Sequence, residues 1–319
     1  MEGRAKLGML AAPLALALMV AALWAGGPAT GQASGDPVLV GAGDIASCRS
    51  TGDEATAALL AGIEGTVATF GDNAYPRGTD ANFARCYKPS WGKFKARTLP
   101  SPGNHEYETA GASGYFEYFS ATPSAPVPNT TANPGLTPGK GYYSYDLGSW
   151  HIISLNSNCS FVDGGVAGNG CAAGSDQEQW LKADLADHSN ACTLAYWHHP
   201  LFSSGSSSGG TSNMKAFWKA LYEANADVVL NGHVHNYERF APQTPSGVAD
   251  AEQGIREFVV GTGGKSLHSF DSTVANSEVR DASSNGVLKL TLHPTSYDWQ
   301  FVTAPDGTVA DSGSGSCHG

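Results

Sequence analysis

Two histidines stand one residue apart at the end of an apolar run. The run Ala226–Asn231 predicts a buried strand and leads directly into "GHVHNYER", which contains His233 and His235. In an extended chain, residues i and i+2 point to the same side of the backbone. Two imidazoles on one side crowd a small volume, which is unfavourable if both are charged and useful if both bind metal. The rest of the chain decides between a surface loop and a metal site.

Four other predicted strands end in a similar way. The segments "VLVGAGD", "TVATFGDNAY", "TLPSPGNHE" and "TLAYWHHP" each place a ligand-type side chain just past a turn. These side chains are Asp44, Asp72 with Tyr75, Asn104 with His105, and His198 with His199. In four of the five cases a glycine precedes the ligand, which lets the backbone turn sharply. Because ligands collect at the carboxyl ends of strands in α/β folds, we expect these groups to converge.

The combined set of donors suits two cations. A carboxylate can bridge two ions, an amide oxygen is a hard neutral ligand, and imidazole suits iron, zinc or manganese. Two metal ions ~3.5–4 Å apart form a clamp for in-line phosphoryl displacement. An aspartate after a strand is more commonly a turn or helix N-cap residue. Five such strand ends in one chain make chance a poor explanation.

These motifs resemble those of the calcineurin-like metallophosphoesterases, and within them the purple acid phosphatase branch. The motifs are Gly43-Asp44, Gly71-Asp72 with Tyr75, Gly103-Asn104-His105-Glu106, His198-His199-Pro200, and Gly232-His233-Val234-His235-Asn236-Tyr237-Glu238-Arg239. The resemblance implies an α/β fold, a four-layer α/β/β/α sandwich of two mixed β-sheets flanked by helices. It also implies two metal sites that share a bridging Asp72. The first site would hold Asp44, Asp72, Tyr75 and His235, and the second Asp72, Asn104, His198 and His233.

Two positions depart from the wider family's pattern. Its first motif often carries a histidine ligand where this chain has Ala46, whereas the phosphatase branch uses a tyrosine at the position of Tyr75. A tyrosine with a pKa near ~10 ionises at ordinary pH only beside a strong Lewis acid. We therefore expect two metal ions, Fe(III) at the Tyr75 site and a divalent ion (Zn, Mn or Fe) at the other. The loop after Pro200 also lacks the histidine that relatives often carry there.

The resemblance implies a metal-dependent phosphatase that hydrolyses phosphate monoesters by attack of a metal-bound hydroxide. His105 is the candidate proton donor to the leaving alkoxide, and Asn104 with the cations is expected to stabilise the developing charge. His199 is expected to support the neighbouring ligand His198 rather than bind metal itself. A metal-dependent phosphodiesterase or nucleotidase of the same fold is the alternative. The expected partner is a small phosphorylated substrate, and the oligomeric state stays open.

Two short motifs suggest other functions. "GAGDIA" fits the dinucleotide-binding pattern G-x-G-x-x-[GA] of an oxidoreductase, but Asp44 would oppose a pyrophosphate and the histidines would remain unexplained. "GSSSG" fits the nucleophile pattern G-x-S-x-G around Ser207, but no clear strand–turn–helix frames it. A non-catalytic secreted protein that binds metal is a third alternative, although structural metal sites are usually closed and single.

The N-terminal segment predicts export. Arg4 and Lys6 precede an apolar run from Leu7 to Trp24 and then small residues, a layout typical of a secretory signal cleaved after Ala29 or Ala33. An uncleaved membrane anchor is the alternative, because the run is long enough to span a bilayer. Pro13 and the small residues after the run favour cleavage, and the mature protein would then have no stable membrane association.

The predicted domains are a signal peptide over residues 1–33 and a metallophosphoesterase domain over residues 34–319. The expected location is secreted or extracytoplasmic. Six cysteines in an exported chain are most simply three disulfides. Of the 15 possible pairings, the ones we favour are Cys159–Cys171, Cys192–Cys317 and Cys48–Cys86. The net charge of −11 argues against nucleic-acid binding through a basic face.

Early strand–helix alternation and late paired strands predict an α/β sandwich with mixed sheets. The predicted helices are Asp53–Ala61, Asp80–Tyr87, Ser175–Ala186 and Met214–Ala224. The predicted strands include Val38–Val40, Thr66–Phe70, Tyr142–Leu147, His151–Leu155, Thr193–Trp197, Asp227–Leu230, Ile255–Val260, Val287–Leu292 and Ser296–Val302.

Overall fold

The computed structural model describes residues 1–3, 35–120, 135–205 and 210–319. The apolar run Leu7–Trp24, both candidate cleavage positions and Ser207 lie outside the described residues. Among the residues that are described, no helix is long and apolar enough to cross a membrane. Asp36–Gly319 forms one compact unit.

The described residues contain thirteen strands in two mixed sheets. They are β1 (Val38–Ala42), β2 (Thr66–Phe70), β3 (Thr98–Ser101), β4 (Tyr143–Leu147), β5 (Trp150–Ser154), β6 (Cys192–Trp197), β7 (Val228–Asn231), β8 (Tyr237–Phe240), β9 (Arg256–Val260), β10 (Ser277–Asp281), β11 (Gly286–Leu292), β12 (Ser296–Thr303) and β13 (Thr308–Ser316). The first sheet has the order β13-β12-β11-β1-β2-β3, and the second has the order β10-β8-β9-β7-β6-β5-β4.

Each sheet has a parallel part that carries the ligand motifs. In the first sheet, β1, β2 and β3 are parallel neighbours, and antiparallel β11 to β13 extend the sheet beyond β1. In the second sheet, β5, β6, β7 and β9 are parallel, while β4, β8 and β10 pair antiparallel at the two edges. Parallel strands end at the same edge of a sheet, so the residues that follow them lie close together.

Helices lie on both sides of the sheets. The α-helices are α1 (Gly52–Gly62), α2 (Asp80–Asn82), α3 (Ser113–Ser120), α4 (Asp176–Asp187) and α5 (Lys215–Glu223). A π-helical turn, Phe83–Tyr87, continues α2, and short 3-10 turns cover Trp91–Arg97, Glu106–Glu108, Ala110–Ala112 and Ser212–Met214. The Ser175 hydroxyl caps α4 by accepting a hydrogen bond from the Glu178 amide at 3.3 Å. Such a cap satisfies one of the free amides of the first turn.

Two apolar clusters hold the layers together. The larger one draws on both sheets and on α1, and includes Phe70, Leu194 and Leu290. The other packs α4 and α5 against the second sheet through residues such as Trp197 and Trp218. The order helix, sheet, sheet, helix confirms the predicted α/β sandwich of two mixed sheets.

The structure also contains elements that the sequence pattern did not predict. The strands β8, β10 and β13 and the helix α3 are absent from the prediction, whereas the predicted strands all exist with ends shifted by small amounts. β13, for example, is rich in serine and glycine, which are poor strand signals. These strands form because their neighbours supply the hydrogen bonds.

All three expected disulfides are present. Cys48–Cys86 joins the segment after β1 to the π-helical turn, and Cys159–Cys171 closes the Gly-rich loop before α4. Cys192–Cys317 ties the start of β6 to the end of the chain. Covalent links of this kind limit the unfolded chain and are typical of exported proteins.

Candidate metal centre

The five strand ends converge at one place between the two sheets. Asp44, Asp72 and Asn104 follow β1, β2 and β3 of the first sheet. His198, His233 and His235 follow β6 and β7 of the second sheet. A hydrogen bond of 2.7 Å from the His233 amide to Asp44 Oδ2 links the two groups directly.

One set of donors surrounds the hydroxyl of Tyr75, and we call it the first donor cluster, or the Tyr75 cluster. Tyr75 Oη lies 2.8 Å from Asp44 Oδ1, 2.9 Å from Asp72 Oδ2 and 3.1 Å from His235 Nε2. A single hydroxyl proton can be donated to only one of the two carboxylates. The other carboxylate oxygen therefore faces an oxygen lone pair in a fully buried position, which is costly unless a cation lies between them. These residues fit a metal ion.

A second set of donors, the second donor cluster, surrounds Nε2 of His198. This nitrogen lies 3.1 Å from Asn104 Oδ1, 3.2 Å from His233 Nδ1 and 3.4 Å from Asp72 Oδ1. The other ring nitrogen of His198 donates to the Phe70 carbonyl at 2.8 Å, which leaves the Nε2 lone pair directed at this cluster in the neutral imidazole. Histidines that bind metal are commonly oriented in this way.

His235 is oriented by the same device, because its Nδ1 donates to the Ser266 carbonyl at 2.8 Å and its Nε2 faces Tyr75 Oη. Asp72 takes part in both clusters: Oδ2 faces Tyr75, and Oδ1 faces His198. This arrangement fits two cations and the bridging position that the resemblance implies for Asp72.

The backbone at the ligands is unusual. Asp44, Asp72 and His233 have positive φ angles of 58°, 50° and 69°. Such angles cost energy for residues other than glycine and persist where the surrounding structure fixes them. The sequence predicts these sharp turns at the preceding glycines, but among those glycines only Gly71 has a positive φ angle, of 83°. Elsewhere the positive angles fall on the ligands themselves.

The glycines serve close approach instead. A Cβ on Gly103 would lie 2.1 Å from Asp72 Oδ1, and a Cβ on Gly232 would lie 2.6 Å from the Phe70 carbonyl oxygen. Both distances are far below van der Waals contact. Glycine at these positions lets the loops after β3 and β7 reach the aspartate loops.

The ionisable groups of the site shift one another's pKa values even without a metal ion. Burial acts to raise the pKa of Asp72, but the neighbouring His198 and His105 lower it overall. Burial acts to lower the pKa of His198, but the carboxylates of Asp72 and Asp44 raise it to about 9. Burial and the adjacent His198 lower the pKa of His233 to about 4. The cluster thus holds positive charge between its carboxylates, and a metal ion would replace those protons.

His105 lies at the edge of the two donor clusters. Its Nδ1 donates to the Pro76 carbonyl at 2.6 Å, and its Nε2 lies 3.8 Å from Asp72 Oδ2. Its ring is tilted against that of Tyr75 with 4.5 Å between centroids, and about a third of the side chain is exposed. A residue in this position can reach a substrate without binding metal.

Glu106 and His199 lie beside the ligands. Glu106 is buried and accepts hydrogen bonds from the amides of Gly103 and Asn73 at 2.7 and 2.9 Å, so it ties the loop after β3 to the loop after β2. His199 Nδ1 lies 2.8 Å from the Ser157 hydroxyl, and the His199 ring lies 4.3 Å from that of His233. Burial and the neighbouring His198 hold the pKa of His199 well below its ordinary value.

Comparison with known proteins places this geometry in a family. The sequence pattern of the calcineurin-like phosphoesterases matches residues 38–237. The chain belongs to this family. The family relationship implies a dinuclear metal centre.

The similar proteins include purple acid phosphatases. Purple acid phosphatase 23 of Arabidopsis thaliana is 30% identical over 174 residues, which are 50% of this chain and 35% of that protein. Purple acid phosphatase 21 of the same plant is 29% identical over 177 residues, 51% of this chain and 38% of that protein. The phosphoesterase therefore spans little more than a third of the length of these relatives.

A solved structure supports the fold. The purple acid phosphatase from yellow lupin (Lupinus luteus) seeds superposes with a TM-score of 0.68 at 20% identity. The similarity covers 88% of the phosphoesterase and 53% of the lupin chain. The dinucleotide-binding alternative does not fit this fold, because α1 begins only at Gly52 and no helix N-terminus follows "GAGDIA" directly.

Two residues next to the ligands were missed by the sequence reasoning. Lys265 Nζ lies 4.9 Å from the centroid of the Tyr75 ring, and the ring of His268 stacks on His235 with 4.3 Å between centroids. No motif in the sequence marks either residue. In the last motif, Glu238 accepts a hydrogen bond from the Ser204 amide at 2.8 Å, and Arg239 pairs with Asp311 at 2.7 Å.

Proposed function

We propose that this phosphoesterase is a secreted phosphatase that hydrolyses small phosphate monoesters with the help of two metal ions. The observation that carries the proposal is the division of Asp72 between two donor clusters, one oxygen facing each. The likeness to purple acid phosphatases supports the reaction. Export is supported by the three disulfides, which persist in oxidising compartments.

The proposed metal ligands are the residues of the two clusters. Asp44, Asp72, Tyr75 and His235 would hold one ion, and Asp72, Asn104, His198 and His233 would hold the other. Two ions in such a site supply Lewis acidity, which binds phosphate oxygens and acidifies water. The remaining tasks of positioning and proton transfer belong to the side chains of the protein.

We propose Fe(III) at the Tyr75 cluster and divalent zinc, manganese or iron at the other. Burial and the carboxylates of Asp44 and Asp72 raise the pKa of Tyr75 well above its ordinary value. The phenol therefore loses its proton only to a strong Lewis acid, and a trivalent ion meets that requirement better than a divalent one. Ala46, which replaces the histidine of the wider family, is buried and offers no ligand atom.

His105 is proposed to protonate the leaving alkoxide. Because its Nδ1 proton is engaged by the Pro76 carbonyl, the proton available for transfer is the one on Nε2, on the side of Asp72. The amide group of Asn104 is half-buried beside the second cluster, where it can stabilise charge that develops on the phosphoryl group. His199 is proposed to hold the second cluster in place through its contacts with Ser157 and His233.

The test combines turnover with metal content. The purified protein is assayed on 4-nitrophenyl phosphate and on bis(4-nitrophenyl) phosphate, before and after removal of metal by a chelator, and its metals are measured by mass spectrometry. We expect about two metal ions per chain and faster turnover of the monoester. His198→Ala and His233→Ala should each bind about one ion and lose nearly all activity.

The matched control is His293→Ala, because His293 is partly exposed and, among the residues that the structure describes, its side chain pairs only with the carboxylates of Asp36 and Asp298. It should keep full metal content and activity. Full activity after complete metal removal would refute the metal mechanism. Faster turnover of the diester than of the monoester would show that the protein is a phosphodiesterase rather than a phosphatase.

A further inference from the structure

A cavity of about 450 Å³ opens beside the Tyr75 cluster. Tyr75 and Pro76 form the part of its wall nearest the ligands. Three basic side chains, Arg49, Arg85 and Lys265, also line it, and no aspartate or glutamate does. We call this cavity the basic pocket. Its volume lies in the range of pockets that bind small molecules.

The three cations of the basic pocket are not neutralised within the part of the chain that the structure describes. None of their charged groups forms a salt bridge or a hydrogen bond there, whereas Arg239 and Arg256 are both paired with Glu278. The contrast matters because the whole chain has a net charge of −11. Unpaired cations gathered in one concave place on an acidic protein create a local positive potential that attracts anions.

The basic pocket lies next to the residue proposed to act on the leaving group. His105 donates to the carbonyl of Pro76, and Pro76 lines the pocket. Lys265 lies over the ring of Tyr75, whose hydroxyl is in the first donor cluster. A leaving group that takes its proton from His105 is therefore close to the basic pocket while the phosphate is held at the donor clusters.

We infer that the basic pocket binds a second anionic group carried by the leaving group of the substrate. The substrate class is small phosphate esters with another phosphate or carboxylate a few bonds away from the scissile ester. Arg49 and Arg85 supply forked donors that match such a group, and Lys265 adds a point charge. This inference rests on the proposed phosphatase activity and specifies its substrate.

The experiment compares two substrates that differ by one phosphate, propyl phosphate and propanediol bisphosphate. The wild-type protein should show a kcat/KM for the bisphosphate at least about tenfold higher, which corresponds to one well-placed charge interaction. In the double variant Arg49→Gln/Arg85→Gln, kcat/KM for the bisphosphate should fall about tenfold or more, mainly because KM rises. The value of kcat/KM for propyl phosphate should fall much less.

The matched control is Arg280→Gln. Arg280 is an exposed arginine on β10 that is bonded to Ser277 and lies outside the basic pocket. This variant should leave the ratio of the kcat/KM values for the two substrates unchanged. A wild-type ratio near one, or an equal loss for both substrates in the double variant, would overturn the inference while leaving the phosphatase activity intact.

Inorganic sulfate distinguishes a free anion from a group on the substrate. If the pocket serves the substrate, sulfate should compete with the bisphosphate more strongly than with propyl phosphate. If sulfate instead activates propyl phosphate turnover in the wild type and not in the double variant, the pocket holds a free anion and the inference is wrong. Failure to hydrolyse either substrate would count against the proposed function itself.

Discussion

Tyr75→Phe tests the proposed identity of the first metal ion. The substitution removes a hydroxyl oxygen that lies within 2.8–3.1 Å of three other ligand atoms and leaves the ring in place. Tyrosinate bound to Fe(III) absorbs visible light by charge transfer, so the wild-type protein should be violet or pink. The variant should lose this band completely, because no other described tyrosine contacts the donor clusters.

The expected magnitudes follow from the contacts. The variant loses a direct ligand, so its iron affinity should fall by more than the about 10–100-fold typical of residues that only orient a ligand. Asp44, Asp72 and His235 remain, so iron supplied in excess should still bind. In the metal-free protein the hydroxyl donates to a buried carboxylate, and its loss should cost about 1.5–3 kcal/mol of unfolding free energy.

The matched control is Tyr115→Phe. Tyr115 is equally buried, and its hydroxyl donates to the Pro100 carbonyl at 3.0 Å. That carbonyl keeps a second donor, Tyr143 Oη at 2.8 Å, so the cost should be about 1 kcal/mol or less. The control should stay coloured.

The assay is visible absorption at known iron content, together with urea unfolding of the metal-free proteins. Active, iron-loaded wild-type protein without a visible band would refute the reasoning. A band that survives Tyr75→Phe at equal iron content would refute it as well.

Three further predictions address proton transfer, stability and oxidation. His105→Asn should slow the hydrolysis of propyl phosphate much more than that of 4-nitrophenyl phosphate, whose leaving group needs little protonation. An equal loss of rate for both esters would mean that His105 positions the substrate rather than donates a proton. Burial raises the pKa of Glu257 well above its ordinary 4.5, so its stabilising contribution is complete below that pH and is lost as the pH rises through the folded-state value. Glu257→Gln should therefore flatten the fall in unfolding free energy that begins as the pH rises above 4.5, and an unchanged slope would contradict this. Replacing both Cys159 and Cys171 by serine should cost about 2–4 kcal/mol, and peptide mapping of the wild type should find no free thiol.

The donor clusters could be predicted because their sequence signals are local. Each ligand comes directly after an apolar run that forms a strand, and the strands that carry them are parallel neighbours within each sheet. Asp72, for example, is separated from β2 by Gly71 alone. The edge to which a parallel strand points follows from its direction, so the convergence of the ligands required little knowledge of the tertiary structure.

The basic pocket could not be predicted in the same way. Arg49, Arg85 and Lys265 come from three distant segments, and each is an ordinary surface-type residue in its own segment. The Cys48–Cys86 disulfide holds Arg49 close to Arg85, but only the packing of the loop after β9 brings Lys265 to them.

The position of the donor clusters between two sheets has a mechanical consequence. Aspartate and asparagine donors belong to one sheet, and the histidines belong to the other. Ions bound by both sheets would act as reversible cross-links. They would resist separation of the two halves of the sandwich, as a disulfide resists the separation of two chain segments. By ligand linkage, such a cross-link adds about 4 kcal/mol to the free energy of unfolding when free metal exceeds its dissociation constant a thousandfold. The free energy of unfolding would then depend on the concentration of metal in the surroundings.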